Sequence, residues 1–97
     1  MKISILLPYK ENFSPTYAGA VSLFVKDTTL RSKYKKVITV FGHTEYKKIF
    51  NVNYVNIPFG KKILQSGSKS YVSKFLNIEE QNPSNIIEIH NRPNYLE

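Results

Sequence analysis

The sequence has no cysteine, which excludes disulfides and thiolate metal sites and suits a reducing compartment. It has only two histidines, His43 and His90, and neither has a ligand-capable partner at the i+3 or i+4 spacing of a helical metal site, so no metal is expected. Glycine is scarce at four residues. Only Gly19 stands at a candidate strand-to-helix turn, so the three-glycine dinucleotide fingerprint is absent. No Ser-His-Asp order and no nucleophile elbow is present either. There is no internal repeat and no low-complexity segment. The opening run, Met1 to Pro8, carries one positive charge and is too short for a signal-peptide core or a membrane span, so the reading is a cytoplasmic chain. Asn12-Phe13-Ser14 matches the glycosylation pattern, which without a secretory signal is coincidence.

What remains describes one small globular domain over residues 1–97. The chain is 41% hydrophobic and 13% aromatic, well above a disordered composition. Acidic residues number half the basic ones, 7 against 14, leaving a net charge of +7. Half of the basic residues sit in small lysine groups at 33/35/36, 47/48 and 61/62. Such a surface can meet phosphates, nucleic acid or an anionic bilayer, and its simpler reading is a solvated face. The tyrosines and phenylalanines fall mostly within apolar patterns, which predicts core positions rather than base-stacking platforms.

Residues 2–7 form a near-continuous apolar run ended by Pro8, the pattern of a strand covered on both faces. Lys10 to Tyr17 reads as a loop rich in turn and cap residues. Ala18-Gly19-Ala20 opens a helix, with Val21, Phe24, Val25 and Thr28 at i, i+3, i+4 and i+7, fading near Ser32. Val37 to Phe41 is a second buried strand, followed by Gly42-His43-Thr44. Strand, helix and strand make a βαβ unit. Glu45 to Phe50 suggests one or two helical turns. Asn53 to Phe59 alternates, with Val55, Ile57 and Phe59 on one side, and Pro58 assigns it to an edge or a strand end. Gly60-Lys61-Lys62 is a turn. Tyr71, Val72, Phe75, Leu76 and Glu79 predict a helix over about 68–81, stopped by Asn82-Pro83-Ser84-Asn85.

The last strand, Ile86 to Ile89, leaves His90-Asn91-Arg92 at its carboxyl end. The order predicts an α/β, Rossmann-like three-layer domain with a mostly parallel sheet. Four strands are fewer than the five or six, about, of a doubly wound sheet. An apolar edge is a pairing hazard, so either further chain or a second copy completes the sheet.

Ligands of such sheets bind beyond the strands' carboxyl ends, which gathers the candidate residues into one crevice. His90 can hydrogen-bond a sugar hydroxyl or act as an acid or base, and Arg92 can grip a phosphate or carboxylate, with Asn91 between them. Against that stands a capped strand end of ordinary polar residues. Gly19 either admits a phosphate to backbone N–H groups at the helix start or provides close helix–strand packing, and both readings stay open. Tyr9, Lys10, Tyr17 and His43 complete the possible cleft; a lone histidine such as His43 is most often only a surface residue.

Lys2 to Pro8, Tyr17-Ala18-Gly19-Ala20-Val21, Val37 to Gly42 and Ile86 to Pro93, in this order and spacing, resemble the amino-terminal part of a retaining glycosyltransferase of the GT-B fold, in the group that includes lipopolysaccharide and mannosyl transferases. The resemblance covers all 97 residues. It implies an incomplete half of a GT-B amino-terminal domain: the acceptor-side portion of an enzyme moving sugar from a nucleotide-sugar donor to a glycan or lipid-linked acceptor, with retention and no cofactor or metal. In that family the loop glycine faces the donor's phosphates, a role that falls on Gly19. A frequent second glycine is replaced here by Ala18. The strand ending in histidine lines the cleft, which maps to His90 with Asn91 and Arg92 beside it. The donor-binding domain with its paired glutamates is not in these residues, so the piece alone is expected to be inactive. The basic surface suits an anionic acceptor or the inner face of a membrane, and the open edge suits a homodimer. A stand-alone phosphate- or nucleotide-binding module is the alternative, with a nucleic-acid binder behind it.

Overall fold

The computed structural model describes residues 1–9, 11–57 and 67–90. Lys10, Asn91, Arg92 and the 60–62 turn therefore lie outside the described residues. The elements are strand β1 (Ile3–Leu6), helix α1 (Ala20–Arg31), a single 3-10 turn (Lys35–Val37), strand β2 (Ile38–Gly42), strand β3 (Tyr54–Asn56), helix α2 (Gly67–Gln81) and strand β4 (Ile86–Ile89). The four strands form one all-parallel sheet in the order β3-β2-β1-β4.

Alternation along β1 and β2 builds two cores, because successive side chains point to opposite faces. Ile5 and Leu7 join Ile38, Val40 and Phe13 under Val25 of α1. Leu6 and Phe41 join Ile57 under Tyr71 and Phe75 of α2. The apolar runs read as strands covered on both faces are therefore covered on both faces at β1 and β2, and the domain has the expected three layers. Tyr71 fixes the second layer further: its buried hydroxyl donates to the Leu7 carbonyl at 2.6 Å.

The amino end of the sheet is held by a small polar network. Glu79, buried near the end of α2, accepts from the Ser4 hydroxyl at 2.6 Å and from the Ser84 amide at 3.0 Å. Asn85 Oδ1 accepts from the Lys2 amide at 2.7 Å. These bonds lock the α2–β4 connection to the start of β1.

Three sequence expectations need correction. The first concerns the buried face of α1, which is Ser22, Val25 and Thr29, rotated by roughly one residue from the expected stripe. Phe24 is 59% exposed, because α1 roofs β1 and β2 only and Phe24 lies on its flank toward β4. The second concerns residues 45–50, which form no helix. Thr44 Oγ1 accepts the Tyr46 amide at 3.2 Å, a local bond that competes with helical pairing. Ile49, Phe50 and Val52 then reach the first core through irregular backbone, with the Phe50 ring edge-on to Phe13 at 5.1 Å.

The third correction is β4. It has the expected bounds but is not buried: all four residues are exposed, and no β4 residue belongs to either core. Among the described residues, the core side chains of both helices meet β1, β2 and the segment after β3 rather than β4. At the other edge, β3 agrees with its expected place, and Ile57 just beyond it is fully buried while Val55 is exposed.

Candidate functional site

From β1 the chain moves to β2 and then β3 on one side, and α2 carries it back to β4 on the other side of β1. The carboxyl ends of β1 and β4 thus flank the topological switch point, where open α/β sheets hold their ligands. The β1–α1 loop and His90 both arrive there.

The loop is organised around a carboxylate. Glu11 is buried at 3% exposure and its Oε2 accepts the Ser22 amide at 2.9 Å. Gly19 is the N-cap residue of α1 and supplies no side-chain bond, so Glu11 caps the helix from eleven residues before Ser22. A negative group at the positive end of the helix dipole is well placed. The β-carbon of any other residue at position 19 would collide with this carboxylate. The packing reading of Gly19 therefore has a named neighbour, and a phosphate reaching these same amides must displace Glu11.

Tyr17, just before the cap, has φ 55°, the left-handed region that tyrosine rarely occupies, and its ring is 79% exposed beside Tyr46 at 6.0 Å. Tyr9 is half-buried, with its ring 5.7 Å from that of Tyr71. It belongs to the packing under α2 as much as to the crevice.

On the other side of the switch point, the His90 amide donates to the Leu6 carbonyl at 2.9 Å, which fixes the end of β4. Its imidazole Nε2 lies 2.5 Å from Glu88 Oε2. A carboxylate can only accept, so Nε2 carries the proton in this bond. Residues 88 and 90 share a face by the two-residue period, the α1 face, and the Phe24 ring stands 6.4 Å from that of His90 at 63°. An imidazole, a carboxylate and an exposed aromatic ring therefore meet one turn from the start of α1. Beneath α1 the same face continues into a groove of about 300 Å³, floored by Ile3, Ile5 and Ile86 and bordered by Thr28, Thr29 and Glu88. That volume is at the lower end for small-ligand sites.

His43 does not join this group. It follows β2, across β1 from β4, so its strand is about 10 Å from that of His90. Its Nδ1 lies 2.6 Å from the Ile57 carbonyl and donates to it, tying the end of β2 to the segment after β3. Thr44 beside it bonds the Asn56 and Asn12 side chains.

The residues missed by sequence reading are Glu11, Phe24 and Glu88. Glu11 carried a signal, an acidic residue shortly before a helix start. Glu88 carried one too, the two-residue period that sets it beside His90, whereas Phe24 carried none, since its meeting with His90 depends on the tertiary packing.

At the opposite, amino end of the sheet, Lys35 and Lys36 join Asn51 and Asn53 around a second depression of about 310 Å³, with Arg31 and Lys33 exposed nearby. Among the described residues, no cluster of metal-ligating side chains forms, and no helix is long and apolar enough to cross a membrane. Compared with protein-family models, curated proteins and solved structures, the chain matches none.

Proposed function

We propose that this chain is the acceptor-side portion of a glycosyltransferase that takes sugar from a nucleotide-sugar donor, and that its switch-point crevice binds a hydroxyl-bearing acceptor, a glycan or a lipid-linked sugar. The observation that carries this reading is the meeting of His90, Glu88 and Phe24 at the switch point. An aromatic ring offers an apolar surface to a sugar's C–H face. The carboxylate accepts hydroxyl protons, and the imidazole can donate, accept or relay a proton at a sugar oxygen. Two carboxylates, Glu11 and Glu88, favour neutral hydroxyls over phosphates at this end of the sheet. The donor's phosphates would then be held mainly by residues outside this chain. The basic amino end, with Arg31, Lys33, Lys35 and Lys36, supports a place against an anionic membrane surface on the cytoplasmic side.

Calorimetric titration of the 97-residue chain separates the readings. The acceptor-side reading expects nucleoside-diphosphate sugars to bind with Kd above about 1 mM, the level of a few kcal/mol of contact. Micromolar binding of a nucleotide by the chain alone would support the free-standing nucleotide module instead. Tight binding of single-stranded nucleic acid with a steep salt dependence would overturn both.

A further inference from the structure

Strand β4 carries three exposed isoleucines in four residues. Ile86, Ile87 and Ile89 are 48%, 43% and 54% exposed on a strand type that is ordinarily buried on both faces. The Ile86 and His90 amides donate inward to Lys2 and Leu6 of the β1 side. By the two-residue period, Ile87 and Ile89 present their N–H and C=O groups outward, where no strand among the described residues pairs with them.

We infer that β4 pairs antiparallel with β4 of a second copy about a twofold axis, with Ile89 facing Ile89 and Glu88 facing His90 across the interface, to make one continuous eight-stranded sheet. The register follows from what each pairing sets opposite Glu88. Two strands with outward groups at 87 and 89 can pair in three ways about a twofold axis. Pairing 87 with 89 sets Glu88 against Glu88, a like-charge pair that destabilises an antiparallel ladder. Centring on 87 sets Glu88 against Ile86 and strands a carboxylate against an apolar side chain. Centring on 89 sets Glu88 against His90 twice, a complementary pair on the α1 face, and seats the two Ile89 side chains together on the α2 face. The contact is isologous and closes the β4 edge of both copies, leaving the short β3 strands as the edges of the joined sheet.

The interface shares Glu88 and His90 with the acceptor-side reading but rests on the strand edge and not on any ligand, so a sedimentation test without saccharide fails separately from that reading. The test uses the full 97-residue chain. Sedimentation equilibrium should give a species of twice the 11.2 kDa of one chain at about 100 µM, within the range of modest interfaces. Ile89→Lys, on a surface position, should abolish the dimer while circular dichroism shows an unchanged fold. The absence of native cysteine allows a register test. Ile89→Cys should cross-link to itself under mild oxidation at least about tenfold faster than Ile87→Cys, because only position 89 meets its own copy within disulfide reach. A monomeric wild-type chain at about 1 mM, a dimer that survives Ile89→Lys, or cross-linking at Ile87→Cys as fast as at Ile89→Cys each overturns the inference.

Discussion

The carboxylate of Glu11 fills the space that a side chain on Gly19 would need, and from there it caps α1 through the Ser22 amide. A helix start that could have been an open anion site is thus occupied by the protein's own anion. Gly19→Ala must expel Glu11 or shift α1. It should cost about 1–3 kcal/mol in urea unfolding, the range for overpacking. Glu11→Ala should cost about 1 kcal/mol as a lost cap. Because both act on one contact, the double variant should cost less than the sum of the two, which a double-mutant cycle measures.

Glu79 makes stability depend on acid. Burial pushes its pKa up, but the hydroxyls of Ser4 and Ser84, the Ser84 amide and the charge of Lys2 together bring it below the ordinary glutamate value. A depressed carboxylate pKa adds stability above the unfolded-state pKa, and that part is lost as pH falls through the folded one. Stability should therefore begin to fall below about pH 4.3, the ordinary glutamate value. Glu79→Gln should be less stable at pH 7 and show a shallower loss between neutral and acid pH, read from urea midpoints at each pH.

Tyr71→Phe removes the hydroxyl that donates to the Leu7 carbonyl at 2.6 Å and leaves that acceptor without its side-chain donor in the core. The expected loss is about 1–3 kcal/mol, the cost of an unsatisfied buried group. Burial also raises the pKa of this phenol well beyond its ordinary value, so Tyr71 should stay un-ionised in a spectrophotometric titration until the chain unfolds in base.

Gly42→Ala tests the join between the sheet centre and β3. An added β-carbon would lie 2.9 Å from Leu7 Cδ1 and 3.1 Å from the Tyr54 hydroxyl. Leu7 is fully buried and Tyr54 is stacked on Phe13 with ring centres 5.3 Å apart, so neither yields freely. A loss of about 1–3 kcal/mol is expected, with the Tyr54 and Phe13 resonances moving first in NMR spectra.

The parts of the fold legible in the sequence are those dictated by local pattern. The β-branched run at 38–41 and the apolar run at 3–6 became strands, and Tyr71, Phe75 and Glu79 became the inner face of α2. What pattern alone could not show is which surface an element meets. Ile86 to Ile89 reads as a buried strand, yet burial depends on neighbours, and β4 has β1 on one side only. Phe24 fits the apolar stripe of α1, yet the helix sits over β1 and β2 and turns Phe24 toward His90. In the site, His90 was legible from its place after a strand. Its pairing with Glu88 follows from the two-residue period once the strand is known. The partnership of Glu11 with Gly19 crosses a loop whose path, with Tyr17 at positive φ, no periodicity encodes.

The most direct test of the acceptor-side reading is amide chemical-shift mapping of the full chain against two panels, neutral oligosaccharides and nucleoside-diphosphate sugars. An oligosaccharide at millimolar concentration should move the amides of Phe24, Ile89 and His90, and His90→Ala should abolish those shifts with the fold intact. If no oligosaccharide moves them, and nucleotides instead move Ala20 to Ser22 or Lys35 and Lys36, the crevice is not an acceptor site and the reading is wrong.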